Sequence, residues 1–473
     1  MYRRVEAGCE PPNRLWLACV IRCLPGGGGR SGGKGGDGSE QSSGWAYRRD
    51  GGVPAAVPAV AVRIVHPLGL YALAARHEWV KNRERLTDED YQPYFDNFDP
   101  DLFDPRVWAR AAKGAGMRYA VLTSKHHEGF CLWDSDQTDY KATNTPYGKD
   151  IVAQFVEAFR AEGLGIGFYH SLIDWHHPEF PVDSVHPQRD DEEFRRRTSG
   201  RDIGKYADYL HAQVRELLTR YGDIDIMWFD FSYRHRPMAD GTPGKGREDW
   251  RSEELMAMVR ELQPGILIND RLDIPGDFVT PEQYQPAGPM MRDGQPAPWE
   301  ACQTLNGSWG YDRDNTDFKP ADLLVRMLVD TVSKDGNLLL NVGPTGRGEF
   351  DPRALASLAA IGEWTRQHSR AIHGAGAAEF TPPPDCRYTR RGDRLYLHVF
   401  AWPMRHLHLA GLAGKVRYAQ FLNDASEVKM ITHDPAQSAH NTTMGGLAAD
   451  TLTLQLPVRQ PDVAVPVIEL FLQ

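Results

Sequence analysis

The 473-residue sequence is poor in the features that mark several large protein classes. It has six cysteines, Cys9, Cys19, Cys23, Cys131, Cys302 and Cys386, with no Cys-x-x-Cys pair, so it carries neither a zinc-ligand spacing nor a disulfide framework. Reduced thiols point to the cytoplasm. No run reaches the ~18 apolar residues that a membrane-spanning helix needs. The short apolar piece 15–21 is bracketed by Asn13, Arg14 and Arg22, a poor leader pattern. Basic residues are outnumbered, 54 against 64, giving a net charge of −10. That balance argues against nucleic acid and against anionic membrane surfaces. Gly-x-Gly-x-x-Gly spacing occurs only inside the Gly-rich stretch 26–38, where no helical pattern follows it, so no such turn argues for a dinucleotide fold. What is plentiful is aromatic: 12 tryptophans and 18 tyrosines, suited to stacking on sugar faces.

Residues 1–68 differ from the rest. A Gly26–Gly29 run, a second Gly/Ser stretch and a Val/Pro/Ala stretch over 53–62 show no sustained periodicity. We therefore expect a non-globular segment, disordered or out of frame, followed by a catalytic domain over 69–373.

From about residue 100, helical patterns alternate with short apolar runs. Helical stretches at 104–114, 150–162, 206–221, 252–262 and 321–332 precede the runs 119–123, 164–169, 224–229, 266–268 and 337–341. Runs that are apolar throughout read as strands buried on both faces. About 300 residues of helix–strand alternation predict an α/β fold, a (β/α)8-type barrel. Past Gly374 the runs 394–400, 416–421 and 451–456 predict a small antiparallel β-sandwich over 374–473.

Polar residues cluster just past the apolar runs, where a barrel enzyme carries its active site. Ser124-Lys-His-His-Glu-Gly-Phe130 offers adjacent imidazoles able to bond sugar hydroxyls. Asp230 ends the run Trp228-Phe-Asp230, and a buried carboxylate without a partner costs several kcal/mol. A retaining glycosidase pairs such a nucleophile with a second carboxyl that shuttles a proton. Spacing alone offers two candidates, Glu282 and Glu300.

His77-Glu-Trp79, Lys125-His-His-Glu-Gly-Phe-Cys-Leu-Trp-Asp134, Trp228-Phe-Asp230, Asn269-Asp-Arg271, Trp299-Glu300, Ser308-Trp-Gly-Tyr311 and Gly336-Asn-Leu-Leu-Leu-Asn-Val-Gly-Pro344 occur in one order. Over about 69–375 this set resembles the α-L-fucosidase family of retaining glycoside hydrolases. The resemblance implies hydrolysis of terminal α-L-fucosyl residues through a covalent fucosyl-enzyme, without metal or organic cofactor. It implies Asp230 as nucleophile and Glu282, eleven residues past Arg271, as acid/base, with Glu300 second. Substrate contacts are implied for His66, Glu78, Trp79, His126, His127, Tyr169, His170, Trp228, Arg271 and Glu300, although some members have Tyr where this chain has His170. The partner implied is a fucosylated oligosaccharide or glycoconjugate, and the chain is a candidate homo-oligomer.

One departure concerns the first strand. Members read Phe-Gly-Leu-Phe-Ile-His-Trp where residues 62–68 read Val-Arg-Ile-Val-His-Pro-Leu. Codons exist for these residues that give the family motif one base over, so we expect a one-base slip near the Leu68–Gly69 codons. Without a gap the family histidine falls on Pro67, and His66 matches only after an insertion. Alternatives are a glycosidase for a related galacto-configured sugar, an inactive carbohydrate-binding protein and a His-rich metal hydrolase.

Overall fold

The computed structural model describes residues 62–238, 241, 243–432 and 447–473, leaving aside the side chains of 62–66 and 432. Residues 1–61 of the segment expected to be non-globular lie outside the described residues.

Seven strands form a parallel sheet: β1 (Val62–His66), β2 (Tyr119–Lys125), β3 (Gly165–Ser171), β4 (Ile226–Asp230), β5 (Leu267–Ile268), β8 (Trp299–Thr304) and β9 (Gly336–Asn341). Between β5 and β8 lies a small hairpin, β6 (Met291–Arg292) and β7 (Gln295–Pro296). The order is β5-β4-β3-β2-β1-β9-β8. Between the two edge strands runs the stretch 278–282, joined by bridges Asn269–Phe278, Val279–Trp299 and Glu282–Cys302. Strand β1 starts at Val62, inside the segment 1–68, and pairs with both β2 and β9.

Local chemistry explains where the intervening helices begin. Asp104 accepts from Arg106 N ahead of helix Pro105–Gly114, Asp150 from Ala153 N ahead of Ile151–Ala161, and Asp202 from Gly204 N ahead of Ile203–Arg220. Each caps an otherwise unpaired amide of the first turn, which stabilises the helix by roughly 1 kcal/mol. Helix Pro352–His368, absent from the sequence reading, starts with the same signal at Asp351-Pro352.

Alternate strand residues face opposite sides, because strand side chains have a period of two. Tyr119, Val121, Ile226, Trp228, Cys302 and Leu339 join one buried cluster on one side of the sheet. Ala120, Leu122, Phe168, Met227, Phe229 and Leu340 join a larger one with the helices. Across β2, β3 and β4 the register aligns Thr123, Tyr169 and Trp228. This alignment positions the floor of the site described below.

The C-terminal part is built of β-sheet. One antiparallel sheet has β10 (Cys386–Arg391), β11 (Arg394–Val399), β16 (Val467–Leu472) and β13 (Val416–Phe421) in that order. A second has β12 (His406–Leu409), β15 (Leu452–Gln455) and β14 (Lys429–Thr432). Leu395, Leu397, Leu409, Leu454 and Leu470 from both sheets share one apolar core. Among the described residues no helix is long and apolar enough to cross a membrane.

Candidate active site

An open pocket lies past the C-terminal ends of the sheet strands. Its walls are Pro67, Glu78, Trp79, Val121, Thr123, His126, His127, Tyr169, Trp228, Asp230, Phe231, Arg271, Glu282, Cys302, Trp309, Leu339 and Asn341. Nine of the residues singled out in the sequence thus meet in one place.

Asp230 is the centre of the polar constellation. It ends β4, whose last turn of backbone is gripped by Asn269: Phe229 N donates to Asn269 Oδ1 at 3.0 Å, and Asn269 Nδ2 donates to Phe229 O at 2.8 Å. The carboxylate accepts from the Tyr169 hydroxyl at 2.7 Å and from Arg271 Nη1 at 3.0 Å. His127 Nε2 stands 3.9 Å away. Burial raises the Asp230 pKa above the ordinary carboxylate value; Arg271 opposes that rise and Glu282 adds to it.

Arg271 joins the two carboxylates. Its Nη2 donates to Glu282 Oε2 at 2.7 Å, its Nε to Thr280 Oγ1 at 2.9 Å, and its Cζ lies 4.8 Å from the centroid of the Trp228 ring. Burial works against the guanidinium charge, but Asp230, Cys302 and Glu282 more than offset it, so its pKa rises. Glu282 is 40% exposed, which sets it at the mouth while Asp230, at 13%, sits inside. The sequence reading did not assign Cys302, Trp309, Thr123 or Asn341 to the pocket. For Thr123 and Asn341 the signal was strand parity, since Val121 and Thr123 on β2, and Leu339 and Asn341 on β9, occupy alternate positions on the two strands that flank β1.

The histidine pair is held by different means. His126 Nδ1 meets Glu128 Oε2 at 3.1 Å. His127 Nδ1 meets Ser171 Oγ at 2.7 Å, and Ser171 Oγ itself donates to Ile173 O at 2.7 Å. With the hydroxyl proton so used, His127 Nδ1–H donates and Nε2 faces the pocket as an acceptor. Burial, then His126 and Lys125, press the His127 pKa well below its usual value, so this imidazole is neutral. Glu78 is buried, accepts from Gly310 N at 2.7 Å, and leaves Oε1 without a protein partner. Burial pushes its pKa up to about 7. It can therefore offer a sugar hydroxyl either an acceptor or a proton near neutral pH.

Backbone strain concentrates here. Phe231 has φ 86° and Gln283 φ 57°, left-handed values immediately after each carboxylate. Non-glycine residues hold such values only where surrounding structure over-determines them. Phe231 packs against Trp79 and His127, with ring centroids 5.2 and 5.1 Å apart.

Two expectations are corrected. His170 lies on the opposite side of β3 from Tyr169, paired with Ser124 Oγ at 3.0 Å and beside Trp133, fully buried and away from the pocket. A period of two allows only one of Tyr169 and His170 to face the site. Glu300 lines no part of the pocket. It is the second residue of β8, near the strand's entry rather than its exit, and fully buried. It receives hydrogen bonds from the Tyr119 hydroxyl and, at 3.3 Å, from Trp228 Nε1. Burial raises its pKa well above the ordinary value, so it is a neutral acid behind the pocket wall. The His66 side chain lies outside the described residues; Pro67 beside it lines the pocket and Leu68 is buried. Among the described residues, no group of three or more His, Cys, Asp or Glu is placed to hold a metal ion.

The sequence model of the Alpha-L-fucosidase family matches residues 64–370. The chain is 45% identical to α-L-fucosidase isoenzyme 1 from Paenibacillus thiaminolyticus, with a TM-score of 0.80 over 88% of this chain and 97% of that one. It is 26% identical to a GH29 α-L-fucosidase from Bacteroides thetaiotaomicron trapped as a covalent intermediate with 2-fluoro-fucosyl fluoride, with a TM-score of 0.74 over 92% of this chain and 100% of that one. To an α-L-fucosidase of Dictyostelium discoideum it is 31% identical over 60% of this chain; the match spans 59% of that protein's length.

Proposed function

This chain belongs to the α-L-fucosidase family, and from that premise we propose that it is a retaining α-L-fucosidase in which Asp230 attacks the anomeric carbon of a terminal α-L-fucosyl residue. The observation that carries the reading is Arg271, whose two terminal nitrogens hold Asp230 and Glu282 at once. Two carboxyls on one guanidinium suit the ~5–5.5 Å separation of a double-displacement mechanism. In the first step Asp230 forms the fucosyl ester while Glu282 protonates the departing oxygen. In the second, Glu282 takes a proton from water, which cleaves the ester with net retention. Glu282, at the mouth, stands on the side from which leaving group and water come and go. Trp228, Trp309 and Phe231 supply apolar surface for the deoxy C6 methyl. Glu78, His126 and His127 supply hydrogen bonds to the ring hydroxyls.

The fold reading follows the same line. The bridges of 278–282 to β5 and β8, together with the two-sided burial, support a closed barrel. The shared core of the two C-terminal sheets supports a β-sandwich. The substrate is a fucosylated oligosaccharide or glycoconjugate.

The direct test is hydrolysis of p-nitrophenyl α-L-fucoside, followed by NMR for the anomer first released. We expect α-L-fucose first, and rates unchanged by EDTA, because no step uses a metal. First release of the β-anomer rejects retention, and loss of activity with chelator moves the reading to a metal hydrolase.

The pH profile gives a second prediction. Asp230 must be ionised to attack, and burial has raised its pKa, so activity falls on acidification at a higher pH than for an ordinary carboxylate. Arg271 opposes the rise. Arg271→Met removes that opposition, so the acid limb of kcat/KM should move to higher pH. A limb that stays, or moves down, would show that another group controls it.

A further inference from the structure

Behind Phe231 lies a buried ionic cluster that the chemistry above does not use. The carboxylate of Asp183 receives both the Tyr233 hydroxyl and the Lys245 ammonium. Asp183 is 1%, Tyr233 5% and Lys245 6% exposed. Lys245 Nζ also donates to Pro181 O at 3.1 Å and sits 4.5 Å from the Phe180 ring. Tyr233 and Lys245 are tied a second time through the backbone, Tyr233 N donating to Lys245 O at 2.8 Å. Gly244 makes that approach feasible, since a Cβ there would collide with the Tyr233 carbonyl. The cluster thus fastens the loop after β4 to the loop after β3. Asn82 Nδ2, three residues past Trp79, reaches the same loop at Val185 O, 2.5 Å away.

Burying an ion pair is costly, and well-packed apolar replacements are often neutral or stabilising. Stability is therefore a weak reason for this one. Its neighbours suggest another. Tyr233 packs on Phe231, ring centroids 5.3 Å apart, and Phe231 packs on Trp79 and His127. Phe231 holds a left-handed backbone directly after Asp230. Such a conformation relaxes unless it is clamped, and relaxing it would swing the preceding carboxylate.

We propose that Asp183, Tyr233 and Lys245 are positioning residues that clamp Phe231 in its left-handed conformation and so aim the Asp230 carboxylate at the reacting carbon. The proposal rests on Asp230 acting as nucleophile. None of the three lines that pocket, although Tyr233 borders an adjoining cleft with Arg271 and Glu282. Their contact with the residue next to Asp230 is the packing of Tyr233 on Phe231.

The test replaces the ion pair by apolar residues, Asp183→Leu with Lys245→Met, and separately removes one hydroxyl, Tyr233→Phe. Thermal unfolding, kcat and KM on p-nitrophenyl α-L-fucoside, and the pH profile are measured for each. The double variant should unfold no lower than its parent, yet lose on the order of tenfold or more in kcat, the scale of a misplaced reacting group. KM should change far less. With Phe231 loosened, water reaches Asp230, the burial that raises its pKa weakens, and the acid limb should move to lower pH. A merely structural cluster would lower the melting temperature and leave kcat per folded molecule and the acid limb in place; that result overturns the proposal. A crystal structure of Tyr233→Phe decides independently of activity. Phe231 leaving positive φ supports the clamp, and Phe231 and Asp230 unmoved refute it. If the parent hydrolyses no fucoside, the activity reading fails and the crystallographic arm alone judges the clamp.

Discussion

Asp230→Ala should lose at least 10⁴-fold in kcat on p-nitrophenyl α-L-fucoside, the scale seen when a covalent nucleophile is removed. The pocket should survive the change. Asp230 is anchored by its strand and by Asn269, and its side chain only receives hydrogen bonds from Tyr169 and Arg271. Removing it leaves Arg271 still paired with Glu282. Azide offers the sharper readout. A small anion can enter the vacated space beside Arg271 and attack the anomeric carbon from the face Asp230 occupied. One displacement then inverts configuration, so the product should be β-L-fucosyl azide, and the aryl fucoside should turn over again. Azide without effect, or a rescued product of α configuration, would remove Asp230 from the nucleophile's role. Residual activity within tenfold of the parent would do the same.

Much of this site was legible because it stands at strand exits. Asp230 closes an apolar run, and His126-His127 follow another, so chain order alone placed both near one end of a parallel sheet. Facing was harder to read. Tyr169 and His170 adjoin at the end of β3, and only the register against Thr123 and Trp228 shows which one faces inward. That register passes an irregularity between Thr123 and Lys125, where one strand gains a residue on its neighbour. A single sequence carries no mark of it. Glu300 was misplaced for a related reason. The sequence located an apolar neighbourhood, Trp299-Glu-Ala-Cys302, but not which end of β8 it formed. The first strand shows a third limit. Composition over 53–68 speaks for loose chain, whereas Val62–His66 is flanked by β2 and β9, and partners distant in sequence complete its hydrogen bonding. Strand formation depends on such neighbours more than on intrinsic propensity.

The two glutamates should separate cleanly. Glu300 is buried, burial raises its pKa, and it accepts from Tyr119 and Trp228. A neutral acid of that kind is matched in charge and shape by glutamine. Glu300→Gln should therefore stay within a few-fold of the parent in kcat, with any cost appearing as lower stability on the order of 1 kcal/mol from imperfect re-pairing. Glu282→Ala should behave differently. Loss of a general acid/base is worth about 10²–10⁴-fold. The loss should fall unevenly: fucosides with poor leaving groups need the proton at the first step, whereas a nitrophenolate departs without it. For the aryl substrate the ester with Asp230 should form and then persist, giving a burst of nitrophenol and a slow steady state. Azide, which needs no general base, should restore turnover and yield α-L-fucosyl azide, opposite in configuration to the product from Asp230→Ala. The pair of products is the decisive outcome, because a glutamate that merely braces Arg271 would give neither the burst nor an α-azide. If Glu300→Gln were the variant with burst and α-azide, the proton shuttle would have to reach the leaving oxygen through the Trp228 wall, and the geometry of the pocket as assigned would be wrong.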